Sequence, residues 1–509
     1  MPEHLRALVI ILAASLPIWL WGRRLFAGLD TSAVYTQRFR LWIFSLLLAF
    51  LSHSFWLFVI GLLLFLWLSP RDPYPFSVYL LLLFLLPSFP VRIDGFGGLN
   101  YLLDINLPRL LSLLLLLPWW IRQRPAAGEP RFGSGWADRC LLIYLLLQFV
   151  LQLSVDTFTN SARFAIYNFL DVFLPYVAAT RAMAKLERAQ DAILSLLLAV
   201  MLMSPLAVFE WAKKWLLYNS LVGAMGVDPW GMGGYLMRGE SLRAMVTTGH
   251  ALALGFVMAL ALALCAAVQP LMNRRDHWIL CACVGAGLLA PVSRGPWVGA
   301  AVIVGVLVLT SPAWGRRLAQ LAGVVLGSAL LLSVTPWGAS VVDLLPFIGK
   351  VDEFNVTYRE RLIDASLAVI AKNPFFGSFD FLSASEMQDM IQGEGIVDIV
   401  NSYLQVALAY GGVGLVLFAG VFVCALWGAV RAWLALRADP MMGAMGRSLI
   451  AAMIGVIVMI TTVSSINNIP ILYWMLSGLC VGYARLGYLP TWRRSTPRQH
   501  MTDSLPMGA

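Results

Sequence analysis

Apolar runs long enough to cross about 30 Å of hydrocarbon recur near residues 5–21, 40–69, 75–90, 106–121, 140–154, 164–180, 190–210, 246–268, 277–291, 295–311, 318–335, 404–428, 448–465 and 469–484. Stretches such as LLSLLLLLPWW and ALALGFVMALALAL are almost continuously apolar, without the two-residue alternation of a membrane barrel strand. The pattern predicts an all-α fold, a polytopic transmembrane helical bundle of about 14 spans with a large helical loop on one side. Run 40–69 is long for one helix and is interrupted by Ser52-His53-Ser54. Folded as a tight pair it gives fifteen spans with the N-terminus outside; as one tilted helix it gives fourteen with the N-terminus inside. The first run follows Arg6, and no small-residue cleavage site precedes Arg23-Arg24, so it reads as a retained span and not a signal peptide.

The same pattern divides the chain. Residues 1–335 hold the N-terminal and central spans with a polar loop at 211–245; 336–403 form a large loop; 404–486 hold the C-terminal spans; 487–509 are a basic tail. The large loop carries ten acids against four bases, and RERLIDASLAVIAKNP within it predicts a helix with Leu362, Ala365, Leu367 and Ile370 on one apolar side, ended by Pro374.

Composition agrees: 60% hydrophobic residues, 12% charged and a mean hydropathy of +0.78 exclude a single soluble domain. A net charge of +9 would raise the question of nucleic acid in a soluble chain. Here nearly two thirds of the basic residues fall in segments around Arg23–Arg40, Arg71, Arg122–Arg139, Arg181–Arg188, Arg274/Arg275, Arg316/Arg317, Arg431–Arg447 and Arg485–Arg498. All of these can face the cytoplasm if run 40–69 folds as the tight pair, whereas one tilted helix there leaves four arginines on the wrong side; no nucleic-acid partner is expected. The six cysteines lie in or beside apolar runs and read as small core residues.

Basic residues on the other side need a reason. VSRGPWVGA puts Arg294 at the mouth of a hairpin, with Gly295 and Pro296 breaking the helix beside it. Arg243 precedes the span 246–268, Arg238 stands five residues earlier, and Arg359 and Arg361 open the large-loop helix. Guanidiniums suit bidentate capture of phosphate or pyrophosphate; the bland reading pairs Arg359 and Arg361 with Glu360, Asp364 or Asp352. Asp398 and Asn401, three apart in VDIVNSYLQ, would share one side of a helical turn, with Asp398 either a general base or the helix N-cap. Asp171, with Asn168, is an intramembrane carboxylate that is either a site or helix glue. His53, His250 and His277 read as structural. With no HExxH, CxxC or GxxxxGK[ST], no metal, nucleotide or other cofactor is expected.

SLRAMVTTGHALALGF, VSRGPWVGA, YRERLIDASLAVIAKNPFFGS and VNSYLQVALAYGGVGLVLF, in this order over about residues 240–430, together resemble the bacterial O-antigen ligase and polymerase superfamily (Wzy-type). The resemblance implies a metal-independent glycosyltransferase of the inner membrane, acting at the periplasmic face on a glycan carried by undecaprenyl pyrophosphate. It also implies membrane lipid, a flippase and a chain-length regulator as partners. By position, Arg243 and Arg294 match the family's two pyrophosphate-binding arginines, and Arg359 the basic residue opening the large-loop helix. Ligases of the family carry His-Asn before Ser/Thr-Tyr-Leu; here Val400 takes the histidine's place before Asn401, Ser402, Tyr403 and Leu404. The departure weakens the ligase reading, leaves Asp398 as the best base, and favours a polymerase. A glycan ligase and a transporter of lipid-linked sugar are the rivals, although no matched halves with broken helices are visible.

Overall fold

The computed structural model describes residues 1–26, 32–69, 71–95, 97, 100–122, 131–227, 234–335, 338, 342, 353–391 and 397–487. The basic tail from 488 onward, Asp343, Lys350, Asp352 and Glu394 of the large loop, and Arg124 lie outside them. Every predicted apolar run contains a helix. Among the described residues nine helices are long and apolar enough to cross a membrane, and three shorter apolar ones, Phe55–Leu68, Pro75–Leu85 and Arg294–Leu309, accompany them. The all-α polytopic expectation holds. Run 40–69 is two helices, Ser32–Leu51 and Phe55–Leu68, with His53 at φ 49° between them. Run 75–90 yields only the helix Pro75–Leu85, buried from Phe76 onward.

Helices Leu186–Lys213, Ala251–Val268 and Ile469–Leu486 form the centre. Lipid offers no hydrophobic drive between helices, so close packing through small residues holds them. Gly478 and Gly482, four apart, lay Ile469–Leu486 against the carbonyls of Tyr176 and Thr180, and a Cβ at either would collide. Buried polar pairs add direction. Arg38 bonds Asp72 and Asp191, each at 2.8 Å. Asp171 pairs with Arg109 at 3.0 Å, and the Asn168 amide donates to Gln148, so the intramembrane carboxylate serves as helix glue. Two short antiparallel hairpins were not foreseen: Val91–Asp94 with Tyr101–Ile105, and Met237–Arg238 with Ser241–Leu242.

The large loop carries its helix at Glu353–Lys372. Its inward stripe is Tyr358, Leu362, Ser366 and Val369. Leu367, predicted inward, is 55% exposed; Ala365 and Ile370 are half-buried. The stripe packs on Phe381, Met387, Met390, Ile399, Leu408 and Ala409, giving this loop a small core that reaches the next long helix, Ser402–Leu436. That helix breaks at Gly411 (φ 65°). Pro374–Ser378 fills the break: Ser378 N–H donates to Leu408 O, and Gly412 and Val413 N–H donate to Pro374 O and Phe375 O, at 2.7–3.1 Å. Backbone groups freed by a broken helix at membrane depth need such protein partners.

Candidate functional site

Four segments meet at the end of the bundle that carries the large loop: 238–250, 290–295, 397–402 and 460–468. Glu210, fully buried near the end of Leu186–Lys213, organises the first. Its carboxyl oxygens accept N–H bonds from Leu217 (3.0 Å), Met245 (3.0 Å) and Val246 (2.9 Å). Thr247 Oγ1 donates to Phe84 O, and Thr248 Oγ1 to Met245 O. His250 then caps Ala251–Val268, its Nδ1 accepting from Leu252 N–H at 3.1 Å. Burial, and then the Arg243 charge, push His250 down to about 4, so the ring is neutral with its proton on Nε2.

The guanidiniums of this segment reach the 290–295 turn. Arg238 Nη1 donates to Val292 O at 2.9 Å; Arg243 Nε donates to Pro291 O at 3.3 Å and Nη2 to Ser293 Oγ at 2.9 Å. Ser293 is the N-cap residue of Arg294–Leu309, so Arg294 follows directly and the helix's positive end adds to the field. All three arginines are half-buried. Of the five arginines read as one anion-binding group from the sequence, Arg238, Arg243 and Arg294 are thus gathered around one turn, and Arg359 and Arg361 are not among them.

Segment 460–468 closes the other side. Gly295 packs so tightly on Thr462 and Val463 that a Cβ there would lie 2.9 Å from Thr462 Oγ1. The next residue, Ser464, donates to Asp398 Oδ1 at 2.9 Å, and Asn467 Nδ2 donates to Thr248 O at 2.8 Å. Ser465 donates to Ser402 Oγ at 2.7 Å. The Nδ2 of Asn468, 3% exposed, has no partner among the described residues. Three non-glycine residues here hold left-handed backbones, Val246 (φ 47°), Val292 (φ 46°) and Asn467 (φ 48°). For valine this conformation is strained.

Two expectations change. Residues 397–401 are not helical, so Asp398 and Asn401 do not share a helical turn. Asn401, not Asp398, is the N-cap: its Oδ1 accepts from Tyr403 N–H (2.9 Å) and Leu404 N–H (3.2 Å). This leaves the Asp398 carboxylate facing Ser464 and the Asn401 Nδ2 available to donate. Arg359 and Arg361 are exposed on the outer side of their helix and form no ion pair among the described residues. It is their neighbour Tyr358 that reaches the 397–402 segment, donating to Asp398 O at 3.3 Å.

The sequence reading missed Glu210, Ser464, Asn467 and Asn468. The polar run TTVSSINN between two apolar spans was the available signal for three of them. It also missed a second group on the same end: Arg109 lies over the Tyr167 ring at 3.7 Å, and Arg163 lies over Tyr101 at 4.0 Å while bonding the Tyr101 and Leu102 carbonyls.

Fold and site together define a multi-pass membrane protein with guanidiniums, a carboxylate and amide donors converging at one end of the bundle. Residues 279–419 match the family model described as O-antigen ligase. The match covers this stretch alone and is consistent with the O-antigen ligase and polymerase superfamily, which implies a glycosyltransferase-like enzyme of ligase or polymerase type. The match includes Arg294, Arg359, Arg361, Asp398 and Asn401, while Arg238 and Arg243 precede it. No curated protein matches the chain.

Proposed function

We propose that this chain is a polysaccharide polymerase of the bacterial inner membrane, joining undecaprenyl-pyrophosphate-linked oligosaccharide repeats at the periplasmic face. The observation that carries the reading is the convergence of Arg238 and Arg243 on the turn that precedes Arg294, across from Asp398. An acceptor sugar hydroxyl attacks the anomeric carbon of the donor. The bond from that carbon to the pyrophosphate oxygen breaks, and undecaprenyl pyrophosphate leaves. The guanidiniums sit where the leaving group's charge grows, which stabilises the transition state electrostatically. Asp398 takes the hydroxyl proton, oriented by Ser464, with Asn401 Nδ2 as a donor to the acceptor sugar. Arg359 and Arg361, on the exposed side of the loop helix, serve the outer part of the pyrophosphate site as substrate enters. Val400, where the family's ligases carry histidine, favours polymerisation over ligation.

The test is purified protein with one defined lipid-linked repeat unit. Elongation to a ladder supports a polymerase, and its persistence in EDTA supports a metal-independent reaction. Transfer of a preformed polymer to lipid A core without lengthening marks a ligase. Arg294→Ala should abolish the ladder and leave single lipid-linked repeats; a ladder of normal length from that variant removes the mechanism.

A further inference from the structure

Helix Ala251–Val268 carries the chain from the arginine site to the opposite end of the bundle, about 27 Å away at 1.5 Å per residue. There the helix Trp314–Val334 stands apart from the rest: none of its residues is buried. A cavity of about 800 Å³ lies between its first turns and the start of Arg274–Leu289. Trp278, Leu321 and Val324 line its apolar wall, and Arg274, Arg316 and Arg317 line its polar side. A chamber of about 180 Å³ continues past Arg317 to Arg447 and Cys265.

Among the described residues these charges have no acidic partner. None of Arg274, Arg316, Arg317 and Arg447 forms an ion pair among the described residues, and Arg447 Nε is buried with no hydrogen-bond partner. Asp276, the acid closest along the chain, is engaged by Asn273 and Arg24. A buried donor without an acceptor is destabilising, and one anion placed between Arg317 and Arg447 would satisfy both guanidiniums. The N-termini of Arg274–Leu289 and Trp314–Val334 also point to this end and add positive potential. The apolar wall requires that the anion carry hydrocarbon, and the bare helix requires a cover of the same kind.

We propose that this groove binds an anionic phospholipid. Its phosphodiester sits between Arg317 and Arg447, with Arg274 and Arg316 at the mouth, and its acyl chains lie along Leu321 and Val324. Basic pockets between transmembrane helices hold lipid headgroups in this manner. The site is separate from glycosyl transfer and stands whether or not that reading does.

Native mass spectrometry of the detergent-purified chain, titrated with phosphatidylglycerol or phosphatidylcholine, tests it. The wild type should bind phosphatidylglycerol at least tenfold more tightly. Removing two guanidiniums in R317Q/R447Q should weaken phosphatidylglycerol roughly 25-fold, about fivefold for each, and R317K/R447K should restore most of it. Because Trp314–Val334 buries nothing, R316Q/R317Q folds even if substitution at Arg447 does not, and it carries the same expected loss. Equal affinity for the two lipids, or unchanged phosphatidylglycerol affinity in R316Q/R317Q, overturns the proposal. Displacement of phosphatidylglycerol by millimolar inorganic phosphate also overturns it, since the site would then take a soluble anion.

Discussion

Replacing Glu210 tests whether the arginine site depends on a buried anchor outside it. The carboxyl group accepts three backbone N–H bonds, at 3.0, 3.0 and 2.9 Å, from two segments 28 residues apart in sequence, at Leu217 and Met245–Val246. Glu210→Ala orphans all three donors. At about 1–3 kcal/mol for each buried unsatisfied N–H, the loss is at least about 3 kcal/mol before any relaxation. Glu210→Gln keeps one acceptor oxygen and turns an NH2 group toward at least one N–H, for a loss of about 1–3 kcal/mol. Met245 follows Arg243 by two residues, so the released segment carries the guanidinium with it, and a 1 Å misplacement of a positioning group can cost about 10²-fold in rate. Tryptophan-fluorescence melting in detergent and steady-state kinetics on a lipid-linked repeat read the two effects. E210Q should melt several degrees lower with a raised KM, while E240Q, exposed on the adjoining hairpin, should match the wild type. An E210Q protein with unaltered melting and unaltered KM would refute the anchoring argument.

Asp398→Asn should lower kcat by about 10²–10⁴ with KM nearly unchanged, the signature of a lost general base; a loss confined to KM would make Asp398 a binding group. Ser464→Ala removes the 2.9 Å bond to that carboxylate, worth about 1.5–3 kcal/mol, and should cost about ten- to a hundredfold in kcat. His250 has an ordinary value of 6.5 and is held down to about 4. Between these values the unfolded chain binds a proton that the folded chain does not, so stability is complete at neutral pH and declines as pH falls from about 6.5 through about 4. The loss is on the order of 3 kcal/mol, and melting temperatures across that range should flatten in His250→Asn, which keeps a capping acceptor.

Helices were legible because a membrane demands long apolar runs, and all fourteen runs contain one. Their ends were less so. Helix Pro75–Leu85 is only 11 residues long yet runs through the buried centre, which hydropathy cannot distinguish from a lipid-facing span. Arginines on the less basic side were the sequence signal for the candidate site, since each violates the charge rule, and the fold brings Arg238, Arg243 and Arg294 to one turn. What the sequence could not place was the backbone geometry. The shift of the N-cap from Asp398 to Asn401 depends on where the non-helical segment 397–401 ends, and a three-residue difference there decides which side chain is spent on the helix. Glu210 sits inside a 28-residue apolar helix, and nothing in its neighbours shows that its partners are the N–H groups of loops that follow it.

Strain and stapling together explain why the site has one shape. Val246, Val292 and Asn467 each occupy a left-handed backbone that costs about 1–3 kcal/mol, so each must be held by neighbours. Val246 is held by Glu210, and Asn467 by its bond to Thr248 O. The carbonyl of Val292 is held by Arg238. The reciprocal consequence is that Arg238 and Arg243 spend part of their donor capacity on carbonyls 291 and 292 and are fixed in direction by them. A flexible arginine would reach an anion by losing rotamer freedom at the moment of binding; these have lost it in folding. The large loop is fixed in the same way from the opposite side, because Pro374–Ser378 completes the broken helix at Gly411, nine residues after Ser402. Asp398 therefore lies between two anchored elements, and its distance from the arginine cluster is set by the fold before substrate arrives, which is the condition for guanidiniums and a base to act on one bond.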